Sequence, residues 1–203
     1  MSGIDRLISS ALAVEIKKRM DLDTLKKVER ELFLEQGMSI KLSIEHFQKF
    51  MSVFHKNSNV DVKKFEKDCL NKIIKVKRKN EKYVVTIVDQ KLTDLILELF
   101  SEVETRKIIS SLLENEYTIP QVLKESGVPK TSGYRKIENL IINGLIIESG
   151  KVLSESKKIS KLQCVFEEIK LDIKKEKVVV NGIVSQKLFE KSTSMKSILD
   201  AFT

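Results

Sequence analysis

Proline and glycine are scarce in this chain, two and seven in 203 residues, so long flexible or proline-rich linkers are not expected. Cysteine is equally rare. Cys69 and Cys164 stand far apart, without a CxxC step or a histidine-rich neighbourhood, which argues against a disulfide-built secreted fold and against zinc. Two reduced, partly buried thiols are the expectation. The two histidines, His46 and His55, are nine residues apart and fall on different sides of one continuous helix. No Ser-His-Asp, HExxH, P-loop or GxGxxG pattern is present, and acidic pairs such as Glu167-Glu168 or Asp21 with Asp23 read as ordinary surface. An enzyme is therefore not expected, nor a cofactor or a metal. No run of 18 apolar residues occurs, and the first 20 residues read as an amphipathic helix rather than a signal peptide. The expectation is a cytoplasmic protein without a membrane partner.

What the chain does have is apolar material and positive charge. Hydrophobic residues make up 41% of it, enough to bury a core, and charged residues 33%, with a net charge of +8 and a pI near 9.3. A basic balance favours a polyanionic partner. The excess is spread unevenly: residues 1–90 carry 19 basic and 13 acidic side chains, residues 91–203 carry 18 and 16.

Apolar periodicity predicts a helix over residues 4–19, a second begun by Asp21 and ended by Gly37, a Phe-rich third over residues 43–56, and a fourth begun by Asp61. Phe47, Phe50 and Phe54 of the third read as core. From Ile73 the pattern turns extended. Ile73 to Arg78 and Tyr83 to Val88 predict a β-hairpin around Lys79-Asn80-Glu81. Lys72, Lys75, Lys77, Arg78, Lys79 and Lys82 make it strongly basic, and with Tyr83 nearby it is either a solvated edge or a second nucleic-acid contact. Residues 1–90 thus read as a mainly helical module with a β-hairpin, serving dimerisation, sensing or partner binding. The predicted class is α+β.

The second predicted domain, residues 91–203, holds the most informative stretch. Two helices near Leu92–Phe100 and Glu102–Asn115 precede TIPQVLKESG, where Thr118 caps a short helix with Pro120 in its first turn. A Gly127-Val128-Pro129 turn follows, then a helix from Lys130 to Asn143 that stops at Gly144. Leu145 to Glu148 start a strand with a bulge or bend at Ser149-Gly150, and Ser154 to Lys157 mark a hairpin tip. Ile159 to Ile173 read as a long returning strand, unbroken or broken once, Val178 to Val180 as another, and Gln186 to Phe202 as a final amphipathic helix. Helix, turn, helix and basic hairpin in this order are the signature of a helix-turn-helix with a wing.

Val128, Ile137, Leu140 and Ile141 supply the inward face of the second helix. Lys130, Thr131, Ser132, Tyr134 and Arg135 lie off it near the helix start, where such a helix reaches base edges. Arg135 suits bidentate pairing with guanine, and Thr131 or Ser132 a phosphate or base edge. Lys130 and Lys136 are expected on phosphates. Lys151, Lys157, Lys158 and Lys161 put positive charge along the wing. The same constellation also fits a protein- or RNA-docking module of a transcription or chromatin assembly.

The stretch resembles the helix-turn-helix of archaeal and bacterial winged-helix regulators of the arsenic-repressor and multiple-antibiotic-resistance-repressor kind. The resemblance rests on Gly127-Val128, Thr131-Ser132, Tyr134-Arg135 and Gly144-Leu145-Ile146, with Thr105 to Asn115 similar to the preceding helix, and covers roughly residues 93–165. It implies a sequence-specific, double-stranded DNA-binding transcriptional regulator and a homodimer, with the first two and last helices as dimer elements. The transcription machinery or a small effector are further partners it allows. Gly133 departs from the family pattern, which has a packing residue there, and the metal-sensing cysteine pair of arsenic repressors is missing.

Overall fold

The computed structural model describes residues 3–154, 157–175, 177–195 and 198. The chain is α+β, with ten helices and two antiparallel sheets among these residues. Five helices come first: α1 (Gly3–Arg19), α2 (Leu22–Gln36), α3 (Ile40–Ile44), α4 (Phe47–Asn57) and α5 (Val62–Ile73). The expected caps operate. Asp21 and Asp61 accept from the backbone N–H of Thr24 and Lys64, and Gly37 closes α2 in the left-handed region at φ 61°. The Phe-rich segment is not one helix: α3 stops at Glu45, and α4 starts after His46, whose φ of −119° and ψ of 57° are not helical. The break leaves Phe47, Phe50 and Phe54 buried and stacked in sequence at 6.1 and 5.9 Å, with Phe65 of α5 4.6 Å from Phe54.

Next come β1 (Ile74–Lys79) and β2 (Lys82–Ile87), which turn through Asn80 at φ 55°, then α6 (Gln90–Ser101) and α7 (Val103–Leu112). The two-residue strand β3 (Tyr117–Thr118) leads into α8 (Ile119–Ser126). Thr118 and Gln121 form a capping box there, and Gly127 ends the helix at φ 64°. α9 spans Lys130–Ile142. It is followed by β4 (Ile146–Ser154), β5 (Lys157–Cys164), β6 (Glu168–Lys174), β7 (Lys177–Ser185) and α10 (Gln186–Glu190). β4 and β5 pair with a register shift between Glu148 and Gly150, at the position of the expected bulge. β5 also pairs with β3, giving a three-stranded sheet in the order β3-β5-β4.

The long strand expected from Ile159 to Ile173 is two strands in two different sheets. At Val165 and Phe166 the chain dives into the core, and Phe166 lies flat on Gly182, where an added Cβ would sit 2.2 Å from the ring. β6 and β7 then join the first hairpin in a four-stranded sheet ordered β1-β2-β7-β6. The expected division into residues 1–90 and 91–203 is corrected here, because β7 (residues 177–185) completes the sheet begun by β1 and β2 through the Tyr83↔Val184 and Val85↔Gly182 pairs. Hydrophobic alternation along 178–184 signals a strand but does not name its neighbour. Of the last predicted helix, 186–202, Gln186–Glu190 form α10, residues 191–195 are not helical and Ile198 is; residues 196, 197 and 199–203 lie outside the described residues, as does the expected wing tip at Glu155 and Ser156.

The first turn of α1 holds the halves together. Asp5 is buried and accepts five hydrogen bonds from one short segment. Ser192 Oγ (2.6 Å), Ser194 N (3.0 Å) and Ser194 Oγ reach Oδ1, while Thr193 N (2.9 Å) and Thr193 Oγ1 (3.1 Å) reach Oδ2. On the other side of α1, Gly144 (φ +76°) comes so close that a Cβ would lie 2.4 Å from Leu7 N and 2.8 Å from Gly3 O. Arg6 donates to the Ile141 carbonyl at 3.2 Å and pairs with Glu45 at 3.4 Å.

Gly144→Ala is expected to cost at least about 2 kcal/mol, since both the left-handed backbone and the clash with main-chain atoms oppose it. Urea unfolding measures this, and an unchanged midpoint would show the close approach to be relaxed. Asp5→Ala removes the acceptor of five donors and is expected to cost on the order of 3 kcal/mol. The same titration tests it: a loss below about 1 kcal/mol, the scale of one ordinary hydrogen bond, would mean that water replaces the carboxylate.

Candidate nucleic-acid interface

α7, α8 and α9 pack around Ile108, Ile109, Leu112, Val122, Leu123, Ile137 and Leu140, all buried. Gly133, Ile137 and Leu140 form the inward line of α9. Gly133 is there for closeness: an added Cβ would stand 2.2 Å from Leu123 Cδ2 and 3.3 Å from Val128 Cγ1, so α9 sits tightly on α8. The glycine therefore lies on the side away from solvent. Ile141, expected inward, is half-buried.

At 100° per residue, the line opposite Gly133, Ile137 and Leu140 is Thr131, Arg135, Glu138 and Ile142, with Tyr134 about 90° from the inward line on one flank. All five are exposed, Tyr134 at 50% and Ile142 at 64%. Lys130 is exposed at the helix start. Lys130 and Arg135 have no ion-pair partner among the described residues. The ridge therefore presents one lysine, one arginine, a phenol, a hydroxyl, a carboxylate and an apolar end.

Two expected contacts lie off that ridge. Ser132 is half-buried, and its hydroxyl donates to the Pro129 carbonyl at 3.4 Å. Lys136 is only 13% exposed. Its ammonium pairs with Glu102, just before α7, and lies 3.6 Å from Glu104 in the first turn of α7. Hydrogen bonding to that ammonium holds the Glu102 carboxyl below its ordinary pKa. The phosphate contact expected of Lys136 is corrected: the side chain braces α9 against α7. Position 136 lies about 60° from 133 and 100° from 137, on the flank of the inward line, and Glu102 and Glu104 are what cover it.

The wing lysines divide. Register puts Lys157 and Lys161 on one face of the β4–β5 hairpin, with Lys158 on the other beside Lys151, which pairs across to Ser160. Lys151 lies 3.6 Å from Glu148 and Lys161 3.5 Å from Glu116. Lys157 and Lys158 are exposed near the tip without an ion-pair partner among the described residues. The free charge of the β4–β5 hairpin is thus concentrated at its end rather than along its length.

A cleft of about 970 Å³ separates the start of β4 from the four-stranded sheet. Among its charges Glu167 pairs with Lys82 at 2.8 Å and Glu45 with Arg6, while Glu114, Lys187 and Lys191 have no ion-pair partner among the described residues, and this mixture of signs singles out no ligand class. Among the described residues no group of three or more His, Cys, Asp or Glu is placed to hold a metal ion, and no helix is long and apolar enough to cross a membrane. Compared with protein-family models, with curated proteins and with solved structures, the chain matches none.

Cys69 and Cys164 are both buried and free, and burial pushes each thiol up to about 12. Both are protonated at neutral pH, and only the thiolate attacks. At pH 8 neither is expected to react with a thiol reagent in the folded chain, and both in urea. Rapid labelling of one under native conditions would show that its region opens.

Proposed function

We propose that residues 103–164 form a winged helix-turn-helix and that the protein is a sequence-specific regulator of transcription acting on double-stranded DNA. The observation that carries this is the outward ridge of α9. Arg135 and Thr131 stand exposed opposite the packed line and Tyr134 exposed on its flank, with Lys130 at the helix start and no side chain among the described residues closing over them. A helix presented in this way enters a major groove by its N-terminal half. In this reading Arg135 reads guanine, Thr131 and Tyr134 touch base edges or phosphates, and Lys130, Lys157 and Lys158 meet backbone. Lys136 and Ser132 hold the helix in place. The order helix, short strand, helix, turn, helix, hairpin supports the reading, as does the β3-β5-β4 sheet that backs it. One such helix spans only a few base pairs, so a homodimer on two half-sites belongs to the proposal.

Ile142 and Glu138 on the same ridge favour a second reading, in which α9 docks a protein of a transcription assembly, because an apolar end beside a carboxylate suits a protein surface better than a phosphate backbone.

Selection from random duplex DNA at physiological salt separates the two. The regulator yields an enriched motif, two-fold symmetric if two chains bind. Arg135→Ala then loses that enrichment, weakening the preferred site by about 1–3 kcal/mol while the fold is retained. Lys136→Ala lowers stability more than it lowers selectivity. Retention without enrichment, or enrichment indifferent to Arg135, defeats the proposal.

A further inference from the structure

The four-stranded sheet covers the core with one face only. Tyr83, Val85 and Ile87 of β2 and Val180, Gly182 and Val184 of β7 point inward. Tyr83 stacks on Phe189 at 4.0 Å, so it is not available to a nucleobase as the sequence allows. The alternate residues form an outer face whose composition is set by register. β1 contributes Lys75, Lys77 and Lys79, opposite Thr86, Val84 and Lys82 of β2. Val84 and Thr86 face Ile183 and Asn181 of β7, and Asn181, Val179 and Lys177 face Lys170, Asp172 and Lys174 of β6. Seven lysines thus stand on this face against Glu168 and Asp172. All seven are exposed, and among the described residues Lys75, Lys77, Lys79, Lys174 and Lys177 have no ion-pair partner. The free charge lies on β1, whose three lysines face no carboxylate on that strand, and at the β6–β7 turn, where Lys174 and Lys177 stand across from each other; along β6 Glu168 pairs with Lys170 and Asp172 follows it, and the middle is uncharged. There Thr86 donates to Asn181 Oδ1 at 2.6 Å, and Asn181 Nδ2 donates to Asp172 at 2.8 Å.

We propose that this outer face is a second, sequence-independent docking surface for the phosphate backbone of duplex DNA. It rests on the reading of α9 given above and names a further contact for the same partner. Lys75, Lys77 and Lys79 form a line at about 7 Å intervals along one edge, and Lys174 with Lys177 stand at the opposite corner, about 14 Å across the sheet and four residues further along the strands, so a duplex, which offers charge on both strands along its whole length, can meet both groups with the uncharged band between them. A single strand is disfavoured, because it binds by stacking on aromatic rings and this face has none among the described residues. A lipid surface is disfavoured because the apolar groups here, Val84, Val179 and Ile183, are half-buried and flush with the sheet, with nothing to insert. A second copy of the face is repelled by its own charge. Lysine is a point charge on a flexible stem, suited to phosphate rather than to base edges.

The test uses the full chain, a duplex of about 40 base pairs carrying the selected motif and an unrelated duplex of equal length, with affinity followed against salt. A variant with Lys75, Lys77, Lys79, Lys174 and Lys177 changed to glutamine is compared with wild type, with the five-arginine variant and with Arg135→Ala. Each phosphate that is no longer neutralised lowers the slope of log affinity against log salt by about 0.9, so a fall of about 2–4 is expected on both duplexes alike, with the selected motif unchanged and arginine restoring the slope. A thermal melt matching wild type shows that the glutamine chain is folded. An unchanged slope in that folded variant overturns the proposal. Loss of binding to phosphatidylserine vesicles with DNA binding intact also overturns it, in favour of a membrane. A wild-type chain that selects no motif, yet loses slope in the glutamine variant, defeats the reading of α9 and upholds the sheet.

Discussion

The structure depends on a buried carboxylate with no cation in hydrogen-bond contact among the described residues. Asp5 is satisfied by hydroxyls and backbone N–H groups of Ser192, Thr193 and Ser194. A charge in the core is tolerable only when such donors replace water. Fastening residues 192–194 fixes the chain that returns from β7, whose partner β2 belongs to the amino-terminal half. Thr193 extends the link, since its hydroxyl accepts from Phe47 N at 3.3 Å, at the break between α3 and α4. One turn of α1 therefore touches the carboxy-terminal segment, the start of the aromatic helix and, through Gly144, the end of α9. Divided domains would need no such junction.

The distribution of charge bears on function more than its total does. Many lysines are matched locally: Lys136 with Glu102, Lys151 with Glu148, Lys161 with Glu116, Lys82 with Glu167 and Lys170 with Glu168. Exposed pairs of this kind contribute little to stability, but they lower the charge offered to a polyanion. Among the described residues, lysines without such a match stand at the start of α9, near the tip of the β4–β5 hairpin and on the outer face of the four-stranded sheet, and also on α2 (Lys26, Lys27) and α5 (Lys63, Lys64, Lys67, Lys72). A net charge of +8 therefore does not say which face carries the potential; the local pairing does.

Local chemistry was legible in the sequence where it is self-contained. Asp21, Asp61 and Thr118 signal helix starts, Gly37 and Gly127 signal ends, and the structure has each in that role, because a cap is decided within four residues. The position of α9 and the bulge after Glu148 were legible for the same reason. Long-range pairing was not. Nothing in Ile159 to Ile173 states that the chain changes sheets at Phe166; the signal, in retrospect, is Gly182, the one place on β7 where a ring can lie. Of the expected α9 contacts, Lys130, Thr131, Tyr134 and Arg135 are outward, whereas Ser132 and Lys136 are not. Helical angle places Thr131 and Arg135 opposite an inward line of 133, 137 and 140, but puts Lys130, Ser132, Tyr134 and Lys136 all on its flanks, where the neighbouring carboxylates Glu102 and Glu104 and the Pro129 carbonyl decide which is covered. Treating Gly133 as a packing position gives that line, and its small size had hidden its role.

The fastening of α9 gives the proposed interface a direction. Its carboxy-terminal end is held twice to α1, by the Arg6 bond to the Ile141 carbonyl and by Gly144 against Leu7, and its flank is held to α7 by Lys136. Its amino-terminal end has no side-chain cap, and the N–H groups of its first turn have no side-chain acceptor among the described residues. Uncapped N–H groups and the positive end of the helix dipole favour an approaching anion. Lys130 adds a full charge at the same end. The helix is therefore anchored where it is neutral or apolar and open where it attracts phosphate, which aims Thr131, Tyr134 and Arg135 at a partner entered by the N-terminus. A docking surface for an apolar partner would be centred instead on Ile142, at the end that α1 already flanks, and that asymmetry weighs for nucleic acid at this helix.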